Sequence, residues 1–199
     1  MTPDLLAQLG LAAGGATASG LRVYGTVAAL GWLDRMGVLH LPGGLELLAN
    51  PIVLAVATGL YVVEFVADKI PAVDSVWDAI HTFVRIPAAA LLAFAALGDV
   101  PEVWRGVAAL LAGGVALSVH GLKSSTRLAV NTSPEPFSNW GISLGEEVSF
   151  AGVLWLVVAH PLAALIVAAL VLVAGAVAIA WIARSLARLV RRLAPRGSG

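Results

Sequence analysis

The chain has 199 residues, of which 59% are hydrophobic and only 12% charged, and its mean hydropathy is +0.92. A water-soluble domain carries about 25% charged residues, so a chain this apolar must turn much of its surface to lipid. Twelve basic and twelve acidic side chains cancel, and cysteine is absent. That excludes a disulfide framework and a thiolate metal centre, and no motif or aromatic platform supports nucleic-acid binding.

Six apolar segments follow in chain order, in line with the roughly 20 residues that a helix needs to cross hydrocarbon. The first runs from Leu5 to Trp32 and is interrupted by Gly14, Gly15, Gly20 and Gly25; Arg22 is the lone ionised side chain between Leu9 and Trp32. An arginine at mid-span costs roughly 2.5–3.5 kcal/mol unless it faces protein, water or a ligand. The second segment opens at Asn50-Pro51 and stops at Asp68-Lys69-Ile70-Pro71. The third begins near Val73 as a polar stripe, becomes apolar after Pro87 and ends near Gly98. The fourth spans Val103 to Val119. The fifth, Val148 to Ala159, is short enough to be tilted, partial or re-entrant. The sixth runs from Pro161 to Ala183 and passes into a basic tail, 184–199, that carries Arg184, Arg188, Arg191, Arg192 and Arg196.

These segments predict an all-α integral membrane protein of about six transmembrane helices, with residues 1–183 as a single bundle. The opening MTPDLLAQLG has no basic n-region or small-residue cleavage site, so no removable signal peptide is expected. The positive-inside rule puts the arginine tail in the cytoplasm, and six crossings then put both termini there, with Lys69, Lys123 and Arg127 on the same side. Ala13-Gly14-Gly15 before Gly20-Leu21-Arg22 is echoed by Ala112-Gly113-Gly114 before Gly121-Leu122-Lys123. Halves 1–98 and 103–183 then read as two inverted three-helix repeats with broken or re-entrant helices, a plan that secondary transporters use. The plainer reading is that small residues recur in any closely packed membrane helix.

Asp74, Asp78, His81 and Arg85 are spaced by four, three and four, which places them on one helix face. Glu64 and Asp68, also four apart, lie just upstream. Such groups line a hydrated ion or proton pathway, or else pair with each other and fix helix packing. Glu64 has no base within four residues on its own helix, which marks it as the candidate proton- or cation-handling carboxylate beside His81.

A second constellation reads as a loop: His120, Lys123, Ser124, Ser125, Thr126 and Arg127, then Asn131, Ser133 and Glu135, the last between two prolines. Lysine, arginine and hydroxyls are the inventory for gripping a phosphate or another oxyanion. Glu146 and Glu147 follow at the expected start of the fifth span. There they complement a helix N-terminus, or share a cation site with Glu64. No HExxH and no nucleophile elbow occurs, so neither an enzyme nor a cofactor is expected. Trp77, Trp104, Trp140, Trp155 and Trp181 fall near span ends as an interfacial belt.

The run from Asn131 to Asn139 followed by Gly145-Glu146-Glu147, and the run Val63 to Pro71 followed by Asp74, Trp77, Asp78 and His81, resemble a family of small bacterial multi-pass membrane proteins of unknown function. The resemblance covers nearly the whole chain before the tail. It implies a membrane protein and brings no assigned substrate; Glu146-Glu147 stands where the family usually shows Glu-Asp.

The residues therefore point first to a small transporter or channel of the bacterial cytoplasmic membrane, carrying an ion or small anion. Its polar interior would be lined by Arg22, Glu64, Asp68, Asp78, His81, Arg85, Lys123, Glu146 and Glu147. The alternatives are binding or translocation of a phosphorylated lipid headgroup by the 123–135 loop, and a non-transporting assembly protein. Gly/Ala faces would also suit a homodimer in the bilayer.

Overall fold

The computed structural model describes residues 5–131 and 136–193. Among these are seven α-helices: α1 Leu5–Leu21, α2 Val23–Arg35, α3 Pro51–Ala67, α4 Pro71–Ala96, α5 Glu102–Asn131, α6 Pro136–Ala159 and α7 Pro161–Leu193; a short 3-10 segment, Gly43–Ala49, precedes α3. Local chemistry sets many of these boundaries. Asn50 caps α3 by accepting the Ile52 N–H, and proline opens α3, α4 and α7, where a missing N–H is harmless. Gly37 ends α2 with φ +69°, the left-handed conformation that glycine tolerates best.

Four helices, α4 to α7, are long and apolar enough to cross a membrane, and this makes the chain an all-α membrane protein. α1 and α3 are shorter, at 17 residues each. Six full crossings are not what forms. α1 and α2 instead make a hairpin that enters and leaves at one end of the bundle.

The neighbours of each turn establish this path. At the start of α1, Gln8 donates to Asp99 at 3.2 Å and Gly10 lies against Pro161. Farther along, Gly15 meets Leu92, and Gly20 meets Val119 and the Ala116 carbonyl midway along α5. The chain then turns at Arg22, whose φ of −146° and ψ of 88° are not helical. α2 retreats: Gly25 packs on Tyr61 and Phe150, Gly31 on Leu48 and Leu54, and Arg35 donates to the Ala49 carbonyl. Gly44, just before α3, lies against Ala95, back at the end where α1 began. Helices α3 to α7 then alternate in direction. Leu5 and the C-terminal end of α7 therefore lie at opposite ends of the bundle, not together as six crossings require.

The hairpin is central because it is thin. α1 packs against α4, α5, α6 and α7, and Ala16, Ala18 and Gly20 leave no room between backbones. A methyl on Gly20 would sit 2.7 Å from Val119 Cβ and 2.9 Å from the Ala116 oxygen. Close approach of small residues supplies the dispersion contact that holds helices together where lipid removes the hydrophobic drive.

The bundle is divided along its length. Leu11, Ala12, Ala93, Ala96, Ala112 and Ala168 belong to an apolar half at the end where the hairpin enters. A cavity of about 180 Å³ there is lined by residues such as Leu9, Ala12, Ala93, Val115, Ala168 and Leu172. The other half is polar. It extends toward the basic end of α7, where Arg184 and Arg188 are exposed; Arg196 and the side chains of Arg191 and Arg192 lie outside the described residues.

The hairpin makes a labelling prediction, clean because the chain has no cysteine of its own. In membrane vesicles, Leu5→Cys and Val38→Cys should react with an impermeant thiol reagent from the same side, and Ile70→Cys from the other. Labelling of Leu5→Cys together with Ile70→Cys would restore the six-crossing path.

Candidate functional site

Glu64 and Asp68 end α3 on its inner face, and Asp74, Asp78, His81 and Arg85 line one face of α4 as their spacing predicts; all six are buried. On α4 they take up the first half of the apolar span Val73–Ala96, roughly 16 Å of axis from Asp74 to Arg85. The set therefore occupies the half of that apolar helix nearest the α3–α4 connection.

The expected loop after residue 120 is helix. α5 continues without interruption to Asn131 because neither proline nor a glycine pair stops it, and the spacing of His120, Lys123, Ser124 and Arg127 turns these side chains onto one face. Lys123 and Arg127 are buried, not displayed to a headgroup. Ser125 is exposed, and Thr126 donates to the Leu122 carbonyl of its own helix. Ser133 and Glu135 lie outside the described residues, as does the side chain of Asn131. α6 likewise starts at Pro136, not near 148, so Glu146 and Glu147 sit in mid-helix rather than at an N-terminus. Asn139, Ser143, Glu146 and Phe150 form its buried face. Because α5 passes through Lys123 unbroken, the cationic helix break occurs at Arg22 alone of the two echoed positions.

These faces converge on one network. Arg22, fully buried at the hairpin tip, is ion-paired with Asp68, with Glu147 at 2.8 Å and with Glu146 at 3.4 Å. Arg127 donates to both Glu146 oxygens at 2.8 and 2.7 Å, to Asn139 at 2.8 Å and to the Asp68 carbonyl at 2.8 Å; Asp74 lies 4.0 Å away. Lys123 stands among Asp68 at 3.3 Å, Asp78 at 3.6 Å and Glu146 at 3.6 Å. Arg85 pairs with Glu64 and with Asp78, the latter at 3.0 Å. Glu64, without a base on its own helix, thus finds one on the next.

Arg85 also donates to Nδ1 of His120, which leaves the ring hydrogen on Nε2 for Thr82 at 2.7 Å. His81 stands at the margin, bonded to the Tyr24 hydroxyl at 3.0 Å and stacked on Trp77 at 4.2 Å. Trp77 is thereby a packing residue, whereas Trp104, Trp140, Trp155 and Trp181 are exposed as a belt requires. At the rim, Lys69 lies over the Phe65 ring and reaches Ser143. Partial burial, with the positive charge of Arg22 nearby, holds the Lys69 pKa below its ordinary value.

Sequence reasoning undervalued His120 and Asn139 and missed Tyr24 and Tyr61. Tyr61 donates to Glu147 at 2.6 Å. The available signal was period: 120, 123/124 and 127, then 139, 143, 146 and 150, are helical faces hidden by a polar composition that suggested a loop.

The charges do not balance. Among the described residues Arg22, Arg85, Lys123 and Arg127 face Glu64, Asp68, Asp74, Asp78, Glu146 and Glu147, a formal excess of two negative charges that Lys69 at the rim, within electrostatic reach of Glu146 and Glu147, reduces to one. Hydrogen bonding is incomplete as well. Among the described residues Glu64 Oε2, Asp68 Oδ1, Arg22 Nε and Arg85 Nε are buried without a hydrogen-bond partner. Both acceptors and donors are left over.

Removing one member of such a network strands its partners, typically at a cost of about 3–5 kcal/mol. Arg127→Gln should therefore lower the unfolding temperature in detergent strongly, and Arg127→Gln with Glu146→Gln should recover part of the loss. Arg188→Gln, on the exposed tail, should change nothing measurable; equal effects at Arg127 and Arg188 would contradict the burial.

No curated protein and no solved structure matches the chain. Residues 9–181, which include the hairpin, the whole network and the four spanning helices almost to their ends, match one family, and the chain belongs to it: DUF4126, a domain of unknown function.

Proposed function

We propose that this protein is a small transporter or channel that passes an ion through the charge network. The network is reached from the basic-tail side and closed, in this conformation, by the apolar half of the bundle. The observation that carries the proposal is the buried network's excess of acids over bases beside a broken, re-entrant hairpin. A static packing device would gain from neutrality and from complete hydrogen bonding; an excess charge with unpartnered oxygens has a use when a mobile ion supplies the balance.

By the positive-inside rule the basic end of α7 faces the cytoplasm of a bacterial inner membrane, and the hairpin enters from outside. Small anions fit less well than cations because each basic side chain is already held by carboxylates. For the same reason the phosphorylated-headgroup reading loses its grip: Lys123 and Arg127 point into the bundle. The assembly reading keeps one specific support, the number of ion pairs joining α1, α3, α4, α5 and α6.

Purified protein in proteoliposomes tests the proposal, with ion gradients imposed in turn and internal ion or pH indicators as readout. Wild-type vesicles should dissipate at least one cation gradient faster than protein-free vesicles. Glu64→Gln and Arg22→Gln should each slow this by about tenfold or more, equivalent to roughly 1.4 kcal/mol on the barrier. Flux equal to that of empty vesicles for every ion would leave the assembly reading standing.

A further inference from the structure

The apolar half of the bundle contains a cavity that its own side chains leave unfilled. It measures about 180 Å³ and lies where α1, α4, α5 and α7 meet; Ala12, Ala93, Ala112 and Ala168 line it where larger residues would close it. Protein interiors leave few gaps larger than a water molecule. Water has no hold on this one, since a buried water needs about two to four polar partners and the lining is hydrocarbon. Apolar cavities of about 150 Å³ stay dry and take up apolar ligands.

The cavity opens sideways. Toward the charge network α5 and α7 touch, Gly114 against Leu172 and Gly175 against Ser118. Nearer the hairpin's entry end the lining includes Leu111 of α5 and Ala169 of α7, both exposed. These are two of the membrane-spanning helices, so the opening faces hydrocarbon. Along α5 the lining runs from Ala108 to Val115, about 10 Å of axis and long enough for a run of methylenes laid beside the helix.

A second observation lies at the rim. Arg105 precedes Ala108, Ala112 and Val115 at spacings of three, four and three, so it crowns the same stripe of α5. Its guanidinium lies over the Phe94 ring, 4.0 Å from the centroid, and its Nε donates to the Phe94 carbonyl at 3.0 Å. Phe94 follows Ala93 of the lining, which places the charge at the edge of the cavity. Among the described residues no carboxylate pairs with Arg105, and its two terminal nitrogens have donors to spare. It stands in the first turn of α5 beside the exposed Trp104, the level at which headgroups meet an aromatic belt. A guanidinium is also the fork that fits a phosphate.

We infer that the cavity is a binding site for an anionic phospholipid of the leaflet at the hairpin's entry end, with an acyl chain between α5 and α7 and the headgroup phosphate on Arg105. The site is separate from the charge network and does not depend on the transport reading. The bound chain completes the packing around α1, whose far end leads into the turn at Arg22.

The test is thermal unfolding of the full-length protein, delipidated in detergent, with phosphatidylglycerol, phosphatidylcholine of the same chain length or inorganic phosphate added in steps. Phosphatidylglycerol should raise the unfolding temperature saturably, as mass action requires of a ligand of the folded state, and inorganic phosphate should not. Ala112→Leu fills the cavity and should abolish the lipid response. If that variant does not fold, Ala169→Phe blocks the exposed mouth without entering the core. Arg105→Gln should weaken the apparent affinity for phosphatidylglycerol by about tenfold, toward that for phosphatidylcholine. Indifference to both lipids overturns the site, as does an equal response in wild type and the cavity variants, which marks a general coating by lipid. A response to inorganic phosphate that matches phosphatidylglycerol overturns the lipid in favour of a free anion. Unchanged lipid preference in Arg105→Gln overturns the headgroup contact.

Discussion

One charge organises this molecule. Arg22 sits in the middle of an apolar stretch that holds no other ionised side chain, where an isolated arginine is costly, and the fold answers by bringing carboxylates to it from α3 and α6. The hairpin turns where that side chain is held. Leu21 and Val23 would both continue a helix; what interrupts it is tertiary, a guanidinium drawn to Asp68 on one side and to Glu146 and Glu147 on the other. Thr26 reinforces the turn by donating its hydroxyl to the Arg22 carbonyl at 2.8 Å.

Everything beyond that tip is arranged to let the hairpin reach it. Alanine and glycine make α1 narrow enough to pass between α4, α5 and α7, and the apolar half of the bundle is little more than this close packing. The polar half spends its side chains differently. There α3, α4, α5 and α6 each contribute charge, so most of the interhelical bonds of the protein lie in the same region as its candidate chemistry. Stability and function consequently draw on the same residues. Substitutions in the network must be read with a stability measurement beside any activity, and isosteric changes such as Glu64→Gln are more informative than truncations.

Much of the membrane architecture was legible in composition and hydropathy: the spanning helices α4 to α7, the start of α3 at Asn50-Pro51 and of α7 at Pro161, and the inward stripe of α4. Two things were not. Gly20, Gly25 and the lone Arg22 hinted at a break, but whether the chain crosses or folds back there was not legible, because the competing pull comes from residues 46 and 124 positions away. The helical ends of α5 and α6 were masked by their polarity. Lys123, Ser124, Arg127, Asn139 and Ser143 lower the local hydropathy and imitate a loop, although their spacing is helical. The acids and bases of the site were all visible in the sequence; which base serves which acid was not, since Arg85 with Glu64 and Arg127 with Glu146 are pairings made between helices.

A double-mutant cycle on Arg22 and Asp68 addresses the organising interaction directly, with unfolding followed in mixed micelles. If the hairpin tip is held by this pair, Arg22→Gln and Asp68→Asn will each destabilise the protein. The double variant will then be less unstable than their sum by about 1 kcal/mol or more, within the range measured for residues in one network. Strict additivity, or an Arg22→Gln protein as stable as wild type, would mean that the turn at Arg22 is held by something other than its charge.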